Sequence, residues 1–274
     1  MSFNAGSMNP APHATAPEIE LSVIAPAYNE AAGIAPLVQR LADVFTPLRM
    51  AFEVIIVDDG STDDTRKNLL ELSRRHPWLR VIGLTQNSGQ TAAMDAGFKA
   101  ARGRIWATLD ADLQNDPAEI PRLMALLGPD VDMVNGWRQK RRDNAWRRVQ
   151  TRIANAVRNA LSGETIHDSA CSLKVYKRPC LQGLTLYRGM HRFLPTLVKM
   201  RGYRVIEIPV SHHPRAFGAT KYKFGDRAVR AFIDLLAVRW MKNRWLRYQT
   251  EELTGAAALG VNLTPPQTAE LLES

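Results

Sequence analysis

The stretch IWATLDADLQ, residues 105–114, ends an apolar run with two carboxylates that stand one residue apart. The run at 105–109 is typical of a buried strand, so Asp110 and Asp112 are expected at the carboxyl edge of a sheet. Ligands of open α/β sheets bind at that edge. Two carboxylates that point the same way suit a hard divalent cation that also contacts phosphate oxygens. The stretch therefore predicts a metal-diphosphate site, and an ordinary solvated loop is the alternative.

Strand and helix patterns alternate around this stretch as far as residue 137. Apolar runs predict strands at 21–25, 52–57, 79–84, 104–109 and 131–134, and periodic segments predict helices at 30–45, 62–75, 88–101 and 117–127. Strands separated by single helices imply parallel pairing with right-handed crossovers. The fold class is therefore α/β, with a mostly parallel, Rossmann-like sheet flanked by helices.

Beyond residue 137 the sequence predicts two more strands, at 169–176 and 203–210, and a helix that begins near Pro179. Segments 144–161 and 225–246 each place apolar residues on one helical face beside several arginines.

Basic amphipathic helices of this type commonly lie in a membrane interface. For 144–161 an ordinary surface helix packed on the sheet explains the pattern equally well. In the last segment Asp234 and Arg239 interrupt the apolar residues too early for a membrane span.

The composition bounds the class of protein. A chain of 274 residues with 45% hydrophobic content can bury the core of one large α/β domain, with or without an appendage. Two cysteines, Cys171 and Cys180, support no disulfide framework, so we expect a reducing compartment. Residues 1–17 carry no Lys or Arg and no apolar core, which predicts a disordered leader and not a signal peptide.

The net charge of +9 is unevenly distributed. Residues 1–137 carry 11 Lys and Arg against 17 Asp and Glu, residues 138–249 carry 25 against 6, and residues 250–274 carry none against 4. The basic middle of the chain predicts an anionic partner: a phosphorylated substrate, an anionic membrane or nucleic acid. Nucleic acid ranks last, because no zinc-finger, RNP or helix-turn-helix pattern accompanies the charge.

A second acidic motif, VDDGSTD at 57–63, follows the strand predicted at 52–57. Acids at the end of a strand can accept hydrogen bonds from a base or a ribose hydroxyl, and Gly60 lets the backbone turn close to a ligand. A capped turn between strand and helix, with Thr62 or Asp63 as the N-cap, is the other interpretation.

Six motifs occur here in the order and spacing of family 2 glycosyltransferases with the GT-A fold. They are PAYNE at 26–30, VDDGSTD at 57–63, NSGQ at 87–90, DADLQN at 110–115, DSACSLK at 168–174 and RAFGATKY at 215–222. The resemblance covers about residues 19–245 and is closest to polyprenyl-phosphate sugar synthases. The NSGQ and CSLK runs resemble undecaprenyl-phosphate transferases that use UDP-sugars more than dolichol-phosphate mannose synthases.

The resemblance implies a role for each matched position. The nucleotide-sugar donor would contact Pro26, Tyr28, Glu30, Asp58, Asp59, Asp110 and Ala111. A Mg²⁺ or Mn²⁺ cofactor would be held by Asp110, Asp112 and Gln114. The catalytic carboxylates would be Asp112 and Asp168, the latter positioning the acceptor with base character left open. Phosphates of acceptor and donor would be neutralised by Arg138, Arg147, Arg148, Lys174, Arg215 and Lys221.

The implied activity is inverting, metal-dependent transfer of a sugar to polyprenyl monophosphate, with a UDP-sugar favoured over GDP-mannose, for cell-envelope glycan or lipid modification. Another lipid or a glycan as acceptor is the alternative. The implied organisation is a leader at 1–17, a GT-A domain at 18–223, an interface helix at 224–249 and a flexible tail at 250–274. The domain divides into a nucleotide-binding half, 18–137, and an acceptor half, 138–223.

Relatives usually continue beyond the last helix into membrane spans, whereas this chain ends in a polar tail. We therefore expect a cytoplasmic protein that attaches peripherally to the inner face of the plasma membrane. Nucleic acid is not expected as a partner, and homo-oligomerisation is left open.

Overall fold

The computed structural model describes residues 18–138, 166–214 and 224–246. The strands are β1 (Leu21–Ala27), β2 (Phe52–Asp58), β3 (Leu79–Gly83), β4 (Ile105–Thr108), β5 (Met133–Trp137), β6 (Lys174–Lys177) and β7 (Val205–Pro209). The α-helices are α1 (Ala31–Phe45), α2 (Thr65–Arg75), α3 (Gln90–Ala100), α4 (Glu119–Met124), α5 (Leu194–Met200) and α6 (Phe224–Asn243). The alternation expected up to residue 137 is confirmed, and the α/β fold class with it.

These strands form one seven-stranded sheet in the order β3-β2-β1-β4-β6-β5-β7. Six of them run the same way, and β6 is antiparallel to its neighbours β4 and β5. The expectation of a mostly parallel sheet is therefore confirmed, with this one exception. Because β6 runs the opposite way, its first residue, Lys174, lies opposite Thr108 at the carboxyl edge of β4.

The strand expected at 169–176 is shorter than predicted, since residues 169–173 lie outside any strand and only 174–177 pair. The helix expected near Pro179 is likewise only a 3-10 turn, Arg178–Cys180, and the α-helix begins at Leu194.

The core lies in two layers, one on each face of the sheet. Successive residues of β1 point to opposite faces, so Val23 packs in the layer of α1 and Ile24 in the layer of α3. Val54 and Ile55 of β2 divide in the same way. Burial on both faces explains why these central strands are continuous apolar runs without polar alternation.

A buried polar cluster closes the opposite, amino-terminal end of the sheet. Glu53 is 1% exposed and accepts hydrogen bonds from Ser22 Oγ at 2.7 Å, Arg80 Nη1 at 2.6 Å and Arg102 Nη2 at 2.8 Å. Burial would raise the pKa of this carboxyl, but the hydrogen bonds from Ser22, from the Arg102 backbone and from the two guanidinium groups leave it below its usual value. The cluster is structural, because it lies at the end of the sheet where ligands do not bind.

The last helix, α6, packs against α5 and the 3-10 turn Met190–Phe193 through Leu235 and Val238. On its opposite side it exposes an outward stripe, which comprises Phe232, Ile233, Leu236 and Trp240. Within the described residues, no helix combines the length and apolarity needed to cross a membrane. The helix predicted at 144–161, the leader at 1–17 and the tail at 250–274 lie outside the described residues.

Candidate active site

A cleft of about 460 Å³ opens at the carboxyl edge of the sheet. Its walls come from the segments that follow β1, β2 and β4, from the start of α3, from the residues before and at the start of β6, and from the turn before α5. They are Pro26, Ala27, Tyr28, Glu30, Asp59, Asn87, Gln90, Met94, Asp110, Ala111, Asp112, Gln114, Arg138, Ala170, Cys171, Ser172, Lys174, His191 and Arg192. Most of the site residues predicted from sequence thus meet in one place.

The two carboxylates of the DADLQ motif lie side by side in this wall. The strand ends at Thr108, whose Oγ1 donates to the Ser172 carbonyl at 2.7 Å. Asp110 follows outside any strand, and Asp112 stands on a turn. Gln90 Nε2 donates to Asp110 Oδ1 at 2.8 Å. Burial, together with the negative charge of Asp112, raises the pKa of the Asp110 carboxyl. The site therefore holds two like charges that a cation would stabilise.

The oxygen atoms present fit a hard divalent metal ion. Asp110 and Asp112 supply carboxylates, and Gln114 supplies an amide oxygen, since its Nε2 donates to the His213 carbonyl at 3.4 Å. In the described part of the chain no three His, Cys, Asp or Glu residues cluster as metal ligands. Two protein carboxylates complemented by substrate phosphates are the usual way in which Mg²⁺ is bound at phosphate sites.

At the β2 end of the cleft, the two adjacent acids have different surroundings. Asp58 is fully buried and does not line the cleft, because Arg66 Nε at 2.6 Å and the Ser61 backbone N–H at 3.1 Å bind its two oxygens. Asp59 does line the cleft, and its carboxylate accepts from the backbone N–H groups of Ser88 at 2.7 Å and Gly89 at 2.9 Å. Of these two adjacent acids, Asp59 is thus the one that lines the cleft.

Glu30 also lines the cleft and is 8% exposed. Its backbone N–H donates to Thr65 Oγ1 at 2.8 Å, and the Asn29 backbone N–H donates to Ser61 Oγ at 2.9 Å. These bonds join the loop after β1 to the loop after β2. The structure therefore brings Glu30 and Asp59 together although 29 positions separate them in the chain.

The end of the cleft that Arg138 and Lys174 line is basic. Arg138 follows β5 and binds both oxygens of Asp168, Nε to Oδ2 at 2.7 Å and Nη2 to Oδ1 at 2.9 Å. Burial would lower the pKa of Arg138, but the hydrogen bonds and charge of Asp168 raise it, so the guanidinium stays charged. Asp168 does not line the cleft, and it acts through Arg138 in this arrangement. Glu207 of β7 supports its loop by accepting from the Asp168 backbone N–H at 3.2 Å.

Lys174 is the most buried cation of the cleft wall, at 2% exposure. Desolvation lowers the pKa of its ammonium group and the nearby Arg138 lowers it further, whereas the negative charges of Asp168 and Asp110 oppose this. A buried lysine beside the acidic pair is suited to bind an anion that enters between them.

Several cleft residues have no role in the sequence-based prediction. Gln90 belongs to the NSGQ motif, so its place beside Asp110 was within reach of the motif analysis. His191 and Arg192 come from a 3-10 turn that no periodicity marks, and a signal for them is absent from the local sequence. His213 lies next to the acidic motif, where its backbone N–H donates to the Gln114 carbonyl at 2.8 Å. Arg147, Arg148, Arg215 and Lys221 lie outside the described residues.

Comparison with known proteins agrees with this geometry. The model of the family "Glycosyl transferase family 2" matches residues 22–184. The chain is 38% identical over 250 residues to dodecaprenyl-phosphate galacturonate synthase of Rhizobium johnstonii, which covers 89% of this chain and 72% of that protein. It is 39% identical over 218 residues to undecaprenyl-phosphate 4-deoxy-4-formamido-L-arabinose transferase of Pseudomonas paraeruginosa, with 79% and 64% covered. The chain thus spans about two thirds of the length of these relatives.

Among solved structures, glucosyl-3-phosphoglycerate synthase from Mycobacterium tuberculosis, in complex with Mn²⁺, UDP and phosphoglyceric acid, superimposes with a TM-score of 0.61. The match covers 84% of this chain and 80% of that one at 20% identity, which shows the fold alone. That fold is the GT-A fold that the motifs implied. By its family match and by the identity of its relatives, the chain belongs to family 2 of the glycosyltransferases.

Proposed function

We propose that this chain transfers a sugar from a nucleoside-diphosphate donor to a polyprenyl monophosphate, with Mg²⁺ or Mn²⁺ bound at Asp110 and Asp112. The observation that carries the proposal is the meeting, in one cleft, of this acidic pair with two basic side chains, the buried Lys174 and the half-buried Arg138. An acidic pair suits a metal-bound diphosphate, and adjacent cations suit a second phosphate. The relatives named for polyprenyl-phosphate transfer support this choice of acceptor.

The donor would lie along the edge of the sheet, from Glu30 and Asp59 at the nucleoside end to Asp110 and Asp112 at the diphosphate. The metal ion would stabilise negative charge on the departing nucleoside diphosphate as a Lewis acid. Gln90 orients Asp110 through their hydrogen bond and so keeps one carboxylate oxygen directed at the cleft. A UDP-sugar is the preferred donor, as the NSGQ and CSLK motifs suggest.

The acceptor supplies its own nucleophile. A phosphate monoester has its second pKa near 6, so it is largely a dianion at neutral pH. One of its oxygens attacks the anomeric carbon, the bond from that carbon to the donor diphosphate breaks, and the nucleoside diphosphate leaves from the opposite face with inversion. A strong general base is not required. Asp168, with both oxygens bound by Arg138, is better suited to hold Arg138 against the acceptor phosphate than to remove a proton.

We further propose that the protein binds the membrane surface through α6. The outward stripe leaves Ile233 58% and Trp240 64% exposed, and Arg239, Lys242 and Arg244 lie among or just after these residues. An apolar stripe beside basic residues combines insertion into the interface with attraction to anionic lipid. This placement would bring the cleft to its lipid acceptor.

The direct test is a transfer assay with undecaprenyl phosphate, MnCl2 and a panel of UDP-, GDP- and dTDP-sugars, with the lipid product separated by thin-layer chromatography. The proposal expects one donor class to give a glycosylated lipid phosphate, and excess EDTA to abolish it. The matched control acceptor is undecaprenol, which lacks the phosphate and should receive no sugar. Transfer to undecaprenol, or none to the phosphate with any donor, would overturn the proposal.

A further inference from the structure

A short turn separates the cleft from the last helix. It is the 3-10 turn Met190–Phe193 together with Gly189, and its residues alternate between two neighbours. Met190 and Phe193 pack against α6 and α5, whereas His191 and Arg192 line the cleft. The turn therefore contacts the helix that we place at the membrane and the site of transfer at the same time.

Polar side chains of two helices lie against this turn. Thr91, near the start of α3, accepts from the Gly189 backbone N–H at 3.0 Å, and its Oγ1 lies 2.7 Å from His191 Nδ1. From the other side, Asp234 of α6 lies so close to Gly189 that a Cβ there would come within 2.2 Å of its Oδ2. Gly189 also has φ = +88°, a backbone conformation that favours glycine at this position.

Asp234 carries a charge opposite to that of Arg192, which lies three residues after Gly189 in the same turn. Burial raises the pKa of the Asp234 carboxyl, and the positive charge of Arg192 opposes this rise. The Asp234 carboxylate on α6 thus lies beside the turn that carries Arg192, and Arg192 lines the cleft.

The depth of an interfacial helix places Arg192 at a particular height above the bilayer. Such a helix buries its apolar face about 5–10 Å into the boundary between headgroups and acyl chains, and its diameter with side chains is about 10–12 Å. The outward stripe and the face that carries Leu235 and Val238 lie on opposite sides of α6. With the stripe inserted, the opposite face and the turn packed on it lie at the level of the lipid phosphates.

We propose that Arg192 binds the phosphate of the lipid acceptor as it enters the cleft from the membrane side, and that Asp234 is the positioning residue that orients Arg192. This inference rests on the proposed function, which names a polyprenyl monophosphate as acceptor. Arginine suits this task because its guanidinium binds two phosphate oxygens at once.

A binding experiment tests this inference, because it does not require knowledge of the donor sugar. Isothermal titration calorimetry would measure the affinity of the full chain for geranyl phosphate, a short soluble prenyl monophosphate, and separately for UDP with MnCl2. We expect Arg192→Gln to lower the affinity for geranyl phosphate about tenfold or more. Its affinity for UDP with MnCl2 should stay within about twofold of wild type. The matched control is Arg188→Gln, which removes the same charge from an exposed residue outside the cleft and should change neither affinity.

Asp234→Asn tests the positioning role. We expect it to lower the affinity for geranyl phosphate by about threefold to tenfold without lowering the affinity for UDP with MnCl2. If Asp234 acts through Arg192, the double variant binds geranyl phosphate no worse than Arg192→Gln alone, whereas a general structural effect would add to the loss.

Each result separates this inference from the function on which it rests. Wild-type protein that binds UDP with MnCl2 but not geranyl phosphate would overturn the proposed acceptor, and the inference with it. Wild-type protein that binds both, together with an Arg192→Gln variant that keeps geranyl phosphate affinity, would overturn the inference alone. Equal loss of both ligands in Arg192→Gln would assign the arginine to the donor.

Discussion

At the scale of one residue, a substitution of Asp112 can separate an effect on metal binding from an effect on folding. Its carboxylate lies in the cleft wall, and its charge raises the pKa of Asp110. Asp112→Asn keeps the size and hydrogen-bonding shape of the side chain while removing one negative oxygen ligand. We expect the affinity for UDP in MnCl2 to fall by about tenfold or more, because hard cations bind carboxylates better than amides. Calorimetric titration with UDP in MnCl2 and then in EDTA measures this.

The matched control for that variant is Asp116→Asn. Asp116 lies four residues later in the same loop, but its carboxylate pairs with Arg40 at 3.2 Å, outside the cleft. The variant Asp116→Asn should leave the affinity for UDP in MnCl2 unchanged. If Asp112→Asn lowers the affinity for UDP in EDTA as much as in MnCl2, the acidic motif does not bind the metal. The same conclusion follows if Asp116→Asn causes an equal loss of affinity.

At the scale of the element, the glycine of the VDDGSTD motif sets the conformation of the turn that joins β2 to α2. Gly60 has φ = +67°, and a Cβ there would lie 2.4 Å from the carbonyl carbon of Gln86. Gly60→Ala must therefore displace the loop before α3, and we expect it to lower the free energy of unfolding by about 2–4 kcal/mol. The measurement is urea unfolding followed by far-UV circular dichroism.

Gly128→Ala is the corresponding control. A Cβ at Gly128 meets no atom within 4 Å, and its φ is not positive. Its free energy of unfolding should stay within about 0.5 kcal/mol of wild type. Equal stability of the two variants would show that the loop before α3 adapts freely and that Gly60 is not required there.

The elements also show what sequence could and could not predict. The strands from β1 to β4 were found because each is an apolar run with a turn residue at its end, and the acids that follow them mark the edge of the sheet. The direction of β6 was not found, since a strand of four residues has the same apolar pattern in either direction. That direction is what places Lys174 at the edge.

Contacts between distant segments were the hardest part to predict. The family resemblance implied separate roles for Arg138 and Asp168, but the pairing that binds both oxygens of Asp168 exists only in the folded chain. Asp58 and Asp59 are adjacent and chemically identical, and sequence cannot show that one is bound by Arg66 and the other faces a ligand. His191 and Arg192 are positioned by Thr91 and by α6 packing, which no local pattern records.

At the scale of the whole molecule, buried carboxyl groups at the two ends of the sheet have pKa values shifted in opposite directions. The cleft holds Asp110 with a raised pKa, whereas the amino-terminal end holds Glu53 with a lowered pKa. A carboxyl whose pKa is lower in the folded state stabilises the fold above its unfolded pKa of about 4.3, and this contribution disappears as the pH falls through the folded pKa. Glu53 therefore contributes to resistance against acid.

Glu53→Gln measures that contribution. At pH 7 we expect the variant to lose about 1–3 kcal/mol of unfolding free energy, because Arg80 and Arg102 lose their charged partner. The deficit should shrink as the pH falls from about 4.3, the unfolded pKa, through the lower folded pKa, at which the wild-type carboxylate becomes protonated. Urea unfolding at both pH values measures it, with Glu71→Gln on the exposed face of α2 as the control. A deficit that does not change with pH would mean that the charge of Glu53 is irrelevant to stability.

Membrane attachment is the property that depends on the whole arrangement, because α6 must insert while the cleft stays in water. Each basic residue near an anionic surface contributes about 1 kcal/mol, and screening reduces this at high salt. Trp240, 64% exposed, and Trp245, 40% exposed, add apolar and headgroup contacts. We therefore expect the protein to co-sediment with vesicles that contain phosphatidylglycerol, to bind pure phosphatidylcholine vesicles weakly, and to be released in part by high salt.

Trp240→Glu combined with Trp245→Glu should abolish most of this binding and reduce turnover on undecaprenyl phosphate in vesicles. Turnover on soluble geranyl phosphate should change much less, since that acceptor needs no interface. Leu70→Glu supplies the matched control, because it places the same charge on another exposed apolar residue, 48% exposed on α2, away from α6. If the double variant loses both activities equally, or if neutral and anionic vesicles bind wild type alike, the outward stripe has no interfacial role, and its exposed residues would have to meet a different partner.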